Sequence, residues 1–345
     1  MNLKLLEELC RANGVSGDES RVRALIRQKI EGHYESCTED ALGNLLVFKK
    51  GRQTPPKKLL FSAHMDEVGL MVSHITDEGL LRFVKVGGID DRVLPGRQVA
   101  VGYDAIPGVI GAKAIHQLDA DERGKAISWE KLTIDLGCTT REEAEALAQP
   151  GDPVYFVSDF EELGERRIKG KAIDDRFGCA VMIEMICSDL PWDCWFSFVV
   201  QEEMGLRGST VAGHTLEPDL AVVLESTASG DLPGVSEPKT CCKVGAGVVV
   251  PFMDRGAIYN RDLYRYCRQL AADHDIPTQT KTYIAGGNDA AALQKAGSGA
   301  LVLNLSVASR CLHTPCVIAD KQDMEDTRKL AFLLAEHLPV YKENA

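Results

Sequence analysis

Leu3, Leu6 and Leu9 recur at the spacing of one helical face and Gly14 closes the run, which predicts an amphipathic helix at the start of the chain. A second helix is predicted to begin near Ser16 or Asp18 and to end at Gly32. Two short apolar runs, 44–48 and 59–63, then read as strands, the second with so little alternation that both its faces must be covered. From Val68 to about Val157 the texture changes. The segments VGLMVSHI, LLRFVKV, QVAVG and GVIGAKAI are separated by Gly, Pro and Asp, and such short strands without an intervening helix predict a small barrel or sandwich. After Lys169 helix and strand alternate again: a helix over 176–187, the strands WFSFVVQ and DLAVVLE, and helices over 263–273 and 320–337. The simplest assembly is a mixed-sheet α/β/α domain of residues 1–66 and 163–345, interrupted by an all-β, barrel-like insert at 67–162.

A chain of 345 residues is long enough for both parts, and 45% hydrophobic with 26% charged residues is an ordinary globular mixture. Thirty-nine Lys and Arg against 51 Asp and Glu leave a net charge of −12, which works against a nucleic-acid or anionic membrane surface. Peptides, small molecules or metal cations are the expected partners. The 11 cysteines are scattered, with one adjacent pair, Cys241 and Cys242, and no CxxC. That pattern predicts reduced thiols in a cytoplasmic protein, neither a disulfide framework nor a zinc ribbon. No signal core and no membrane-length apolar run are visible.

The chemistry collects where predicted strands end. His64 and Asp66 are two residues apart and so share a strand face, which suits a metal ligand and a carboxylate that fixes its ring. Asp174 and Asp175 precede an apolar helix; capping accounts for one carboxylate, and Asp174 is expected to use its two oxygens to bridge two metal ions. Glu202 and Glu203 follow a strand too hydrophobic to be solvated, where two like charges need a cation or a proton. One can ligate while the other serves as general base, and Gly205 permits the turn that separates their directions. Glu225 is delivered by another apolar strand, and His313 sits in a loop before the last helix. Two divalent ions carry four positive charges, which three carboxylates and a hydroxide balance, leaving the histidines as neutral donors. His116, in the insert, could reach such a site only if the insert folds over it or over a neighbouring subunit. No GxSxG elbow or GxGxxG fingerprint accompanies these residues; GAGVVV near Gly245 lies in a strand-like run.

The blocks SAHMDEVGLMV, GGIDDRVLPGRQV, GVIG followed by a His, KAIDDRFG, QEEMGLRG, GGNDAAA and RCLHTP, in this order, closely resemble the glutamyl and deblocking aminopeptidases that assemble as tetrahedral particles. These are dinuclear metallopeptidases, sometimes mislabelled as endoglucanases. The resemblance covers nearly the whole chain. It implies that His64 and Glu225 complete one metal site, that Glu203 and His313 complete the other, and that Asp174 bridges them. It further implies Glu202 as general base, Asp66 as the orienting carboxylate, and a cis peptide bond between Asp174 and Asp175. Two ions, zinc or cobalt, would activate water, and the insert would build the contacts of a dodecamer with interior active sites that admit short peptides. Two positions depart from the family pattern: Glu225 stands where Asp is usual, and Asn288, beside Asp289, stands where Thr is common, close to the expected substrate pocket.

The expected activity is removal of the N-terminal residue from short peptides. Three alternatives stay open at this level. A carboxypeptidase or N-acyl amino acid deacylase shares the fold; a glycosidase would use a carboxylate pair without metal but leaves His64 and His313 unexplained; a non-catalytic metal-binding assembly protein would be indifferent to Glu202→Gln.

Overall fold

A computed structural model describes residues 1–120, 123–284 and 286–341. A single large sheet forms the frame. Its strands run, edge to edge, Ser36–Glu39, Leu45–Lys49, Cys194–Val199, Leu59–His64, Leu220–Ala228, Leu301–Arg310, Val317–Asp320, Arg167–Gly170 and Glu161–Leu163. Val248–Pro251 branches from Leu301–Arg310 and pairs with Thr278–Lys281. The four central strands are parallel and almost wholly buried, as a sheet covered on both faces requires.

Alternation along those strands divides the core in two. Leu59, Phe61, Leu220, Val222 and Leu224 pack with Leu5, Leu6 and Leu9, with Val22 and Ile26, and with Met182 and Leu334 of helices Ile173–Ile186 and Lys321–His337. Leu60, Ala221 and Val223 face the opposite way, onto Ala212, Leu216, Ala290 and Leu293. The result is the expected three-layer α/β/α domain. Phe61 and Phe196 stack at 5.7 Å in its centre, and truncating either to Ala costs about 3–5 kcal/mol.

Inserted into this frame, six strands close a barrel in the order Gly69–Ile75, Leu81–Val86, Thr133–Asp135, Ile106–Gly111, Gln98–Val101 and Pro153–Phe156. Leu70, Val72, Phe83, Val99 and Ile134 fill it. Closure leaves the short strands no open edge. The strand Glu161–Leu163 belongs to the large sheet, which therefore resumes ahead of the expected boundary at 163.

Other details differ from expectation. The first helix spans Leu3–Arg11 and buries Leu5, Leu6, Leu9 and Cys10, leaving Leu3 only partly covered. The ten-residue central strand Leu301–Arg310 and the short edge strands have no counterpart in the predicted elements. All 11 cysteines are free. Among the described residues, no helix is long and apolar enough to cross a membrane.

Candidate metal centre

Sheet register sets the site. Leu59–His64 pairs in parallel with Leu220–Ala228 through Ser62 and Val223, so continuing two residues along each strand brings His64 level with Glu225. On the other side His64 pairs with Val199, the last residue of its strand. Glu202 and Glu203 lie just beyond. Glu225 is not at its strand's end as expected, because the strand runs on to Ala228 against Ser306–Ser309. Where the neighbouring strand ends at His64, the Glu225 side chain is left facing the site.

His64 is 1% exposed. Its Nδ1 donates to the main-chain carbonyl of Asp66 at 3.1 Å, with the Asp66 carboxylate at 3.4 Å. That leaves the Nε2 lone pair directed at Asp174 Oδ1, 3.3 Å away, and Glu225 Oε1, 3.5 Å away. His313 repeats the arrangement. Its Nδ1 donates to the Gly88 carbonyl at 2.8 Å, and its Nε2 faces Asp174 Oδ2 at 3.5 Å and Glu203 Oε1 at 3.2 Å. A ring nitrogen that bonds a carbonyl must be the donor, so both Nε2 atoms are free to ligate.

Asp174 thus faces one histidine with each oxygen. It lies after Ala172, in a left-handed conformation, and is joined to Asp175 by a cis peptide bond. Among the described residues its buried Oδ1 has no hydrogen-bond partner. Among the described residues, three groups of side chains have potential ligand atoms within 4.8 Å of one another: His64 with Asp174 and Glu225, Asp174 with Glu203 and His313, and His64 with Glu202 and Glu203. Carboxylate oxygens gather around both Nε2 atoms at 3.2–3.5 Å; without ions such a pocket must balance its charge with protons, and divalent cations are what this donor set fits.

The electrostatics agree. Burial, reinforced by neighbouring carboxylates, pushes Glu202 and Glu225 well above the usual range and Glu203 up to about 7. Burial alone would lower His313, but Asp174 and Glu203 outweigh it and lift it to about 9. Asp174 resists burial because both histidines hold it below the ordinary carboxylate value.

Asp66 does more than orient a ring. Its carboxylate accepts from the backbone N–H of Glu202 at 3.0 Å, from that of Glu203 at 3.1 Å and from Ser16 Oγ at 2.6 Å. The turn that frees the two glutamates starts at Gln201, with φ of +54°, ahead of the expected Gly205. Glu67, singled out only within its motif, is buried and accepts from Lys171 Nζ at 2.8 Å, with Arg176 at 3.7 Å. Arg176 donates to the carbonyls of Leu9 and Ala12 and so ties the first helix to the wall of the site.

A cleft of about 750 Å³ opens over these residues, bounded also by Asp90, Lys281 and Tyr283. Asn288 lines it, yet its amide donates to Asp254 and Tyr259 and its oxygen accepts from Ala290 N, so its polar atoms order the loop and are not free for substrate. Asp289 is fully buried, close to Ser209. It is not among the residues that line the cleft; burial pushes it up to about 6 and its charge raises Glu202. His116 is exposed on the insert and does not line the cleft. The Gly88 carbonyl was not anticipated, although GGIDD marked the segment that supplies it.

An α/β/α frame that gathers two histidines and several carboxylates at one edge defines a metal-dependent hydrolase. The family model of the M42 glutamyl aminopeptidases matches residues 43–330, and the chain belongs to that family. It is 31% identical over 343 residues to the lysyl aminopeptidase of Pyrococcus furiosus, covering 97% of each chain. A TET aminopeptidase from a marine sediment archaeon, Thaumarchaeota archaeon, has a TM-score of 0.93 at 33% identity, covering 97% of this chain and 96% of that one. The TET1 peptidase of Pyrococcus horikoshii, which can assemble into a tetrahedron or a large octahedral shell, has a TM-score of 0.87 at 36% identity, covering 97% of this chain and 99% of that one. The reaction class follows from membership: a peptide hydrolase of the aminopeptidase type, which displaces the glycosidase alternative.

Proposed function

We propose that this chain releases the N-terminal residue of short peptides with two divalent metal ions, zinc or cobalt, held side by side. His64 and Glu225 would hold one ion, Glu203 and His313 the other, and Asp174 would bridge them. The observation that carries the reading is the position of Asp174, whose Oδ1 faces His64 Nε2 at 3.3 Å and whose Oδ2 faces His313 Nε2 at 3.5 Å. When bound, such a pair polarises a carbonyl and acidifies water.

The chain's own residues do the rest. Glu202 stands within ligand range of His64 and Glu203 without joining either of the Asp174 groups. Burial raises its affinity for a proton, so it can accept one from water and deliver it to the departing amine. Asp66 and the Gly88 carbonyl fix the ring orientations of His64 and His313. The barrel supplies Gly88, so it shapes the site as well as the contacts it is proposed to make between subunits of a homo-oligomer, a dodecamer in the tetrahedral arrangement. The free thiols accord with a cytoplasmic setting.

Product analysis by mass spectrometry on a mixed library of free and N-acetylated peptides tests this, with zinc or cobalt and with chelator. Metal-dependent loss of single residues from free N-termini is expected. Cleavage of acetylated peptides alone, or from the C-terminus, would overturn the substrate assignment.

A further inference from the structure

Glu19 immediately precedes the helix Ser20–Ile30 and is 4% exposed. Its Oε1 accepts the backbone N–H of Gly17 at 2.7 Å and, across 182 residues of sequence, that of Gln201 at 3.1 Å. Gln201 is the left-handed residue that turns the chain out of the strand, with φ of +54°, directly before Glu202. A residue with a side chain adopts that conformation only where its surroundings hold it there.

The next two amides, of Glu202 and Glu203, go to Asp66. Three consecutive backbone donors are therefore taken by two buried carboxylates. Residues 16–19 reach both: Glu19 binds the first donor directly, and Ser16 Oγ donates to Asp66, which binds the other two. Glu202 O then accepts from Gly205 N and Leu206 N, each at 2.9 Å, closing the turn. Glu19 is in none of the candidate ligand groups, so the metal centre does not account for it.

We propose that Glu19 is a positioning residue for Glu202, fixing through the Gln201 amide the direction in which the proposed base leaves the strand. The inference rests on the proposed role of Glu202. Without Glu19 the Gln201 N–H loses its acceptor, and the strained turn can relax toward extended backbone one residue before the base. A displacement of about 1 Å there is enough to lower turnover about 10²-fold. Both hydrogen bonds use Oε1, so the carbonyl oxygen of a glutamine can replace it, whereas alanine removes it and aspartate shortens its reach.

The test compares Glu19→Ala, Glu19→Asp and Glu19→Gln with the parent by kcat, KM, metal content and hydrogen exchange of the 198–206 segment. Glu19→Ala is expected to lose about 10²-fold in kcat with KM changed less than about threefold and metal retained, while exchange rises across 201–203. Glu19→Gln is expected to restore both rate and protection. A Glu19→Ala kcat within about twofold of the parent, an equal loss in Glu19→Gln, unchanged exchange, or metal lost in step with rate would each overturn the proposal. If Glu19→Ala does not fold, Glu19→Asp carries the same comparison. Should the parent cleave only blocked peptides, the aminopeptidase reading fails, and kcat on those peptides still decides the role of Glu19.

Discussion

The backbone amide of Glu202 donates to the carboxylate of Asp66 at 3.0 Å, so the residue that orients His64 also anchors the proposed base. One buried carboxylate couples the two sides of the centre. Asp66→Ala is expected to lower activity about 10–100-fold and to weaken metal retention, because the His64 ring and the Glu202–Glu203 turn are both released. Steady-state kinetics with metal analysis on the same preparation check this; a variant with full turnover and full metal would contradict it.

Glu202→Gln separates ligand from base. Turnover is expected to fall roughly 10²-fold or more while both ions stay bound, since proton acceptance is lost and the two Asp174 groups are untouched. Loss of one ion from the variant would instead make Glu202 a ligand. A variant with parental turnover would return the weight to a non-catalytic protein.

Chelation is expected to lower the thermal midpoint, and by more as pH rises. Without ions, burial pushes the Glu203 carboxyl from 4.5 to about 7. Between those values the folded chain binds more protons than the unfolded one, so stability of the metal-free protein falls as pH climbs through that window, and His313, lifted from 6.5 to about 9, extends the fall above it. Ions keep the same carboxylate ionised and paired, so the loaded protein escapes that loss. Scanning fluorimetry with and without chelator, from about pH 5 to about pH 8, reads the gap; a gap that narrows with pH would refute the account.

Glu67→Gln is expected to destabilise the fold by about 3–5 kcal/mol, because it strands the buried Lys171 ammonium without a counter-charge. Burial already depresses the proton affinity of that lysine. The double substitution Glu67→Leu with Lys171→Met is expected to regain much of the loss, since neither charge is then left unpaired. Denaturant melts of the three proteins measure it, and additive losses in the double variant would speak against a coupled pair.

Lys281 is 8% exposed and borders the cleft beside Cys241, whose thiol it helps to lower after the hydrogen bond from Cys242; its side chain is paired with no carboxylate among the described residues. A buried cation facing substrate favours an opposite charge. Peptides with an acidic group near the cleaved bond are expected to outpace their basic counterparts by about tenfold or more in kcat/KM, and Lys281→Met to erase most of that difference. Paired peptides differing only in that side chain give the ratio; no change in Lys281→Met would move the preference elsewhere.

Much of the site was legible because its residues stand in compact motifs. HMDE, KAIDD, QEE and LHTP each combine a histidine or carboxylate with an apolar strand or helix that cannot solvate it, and burial of such groups demands partners. The barrel was legible for a similar reason: short alternating strands with Gly and Pro between them have few other ways to cover their edges. The strand Leu301–Arg310 escaped because Asn304, Ser306 and Ser309 interrupt its apolar run, and only in the sheet do they find buried partners such as Ser226 Oγ, 2.6 Å from Ser309 Oγ.

Local sequence therefore determined which groups need a partner, through hydrophobic period and the expense of burying charge. It also placed Asp174 beside Asp175 and Glu202 beside Glu203. Only the tertiary structure decided which partner each group found. Parallel register sets His64 level with Glu225; a carbonyl from the barrel holds His313; and Glu19, in the first turn of the second predicted helix, reaches the amide of Gln201. Backbone donors and acceptors are the same at every residue but proline and leave no mark in composition, so contacts made through them are fixed by where the chain passes, and that is known only once the sheet has closed.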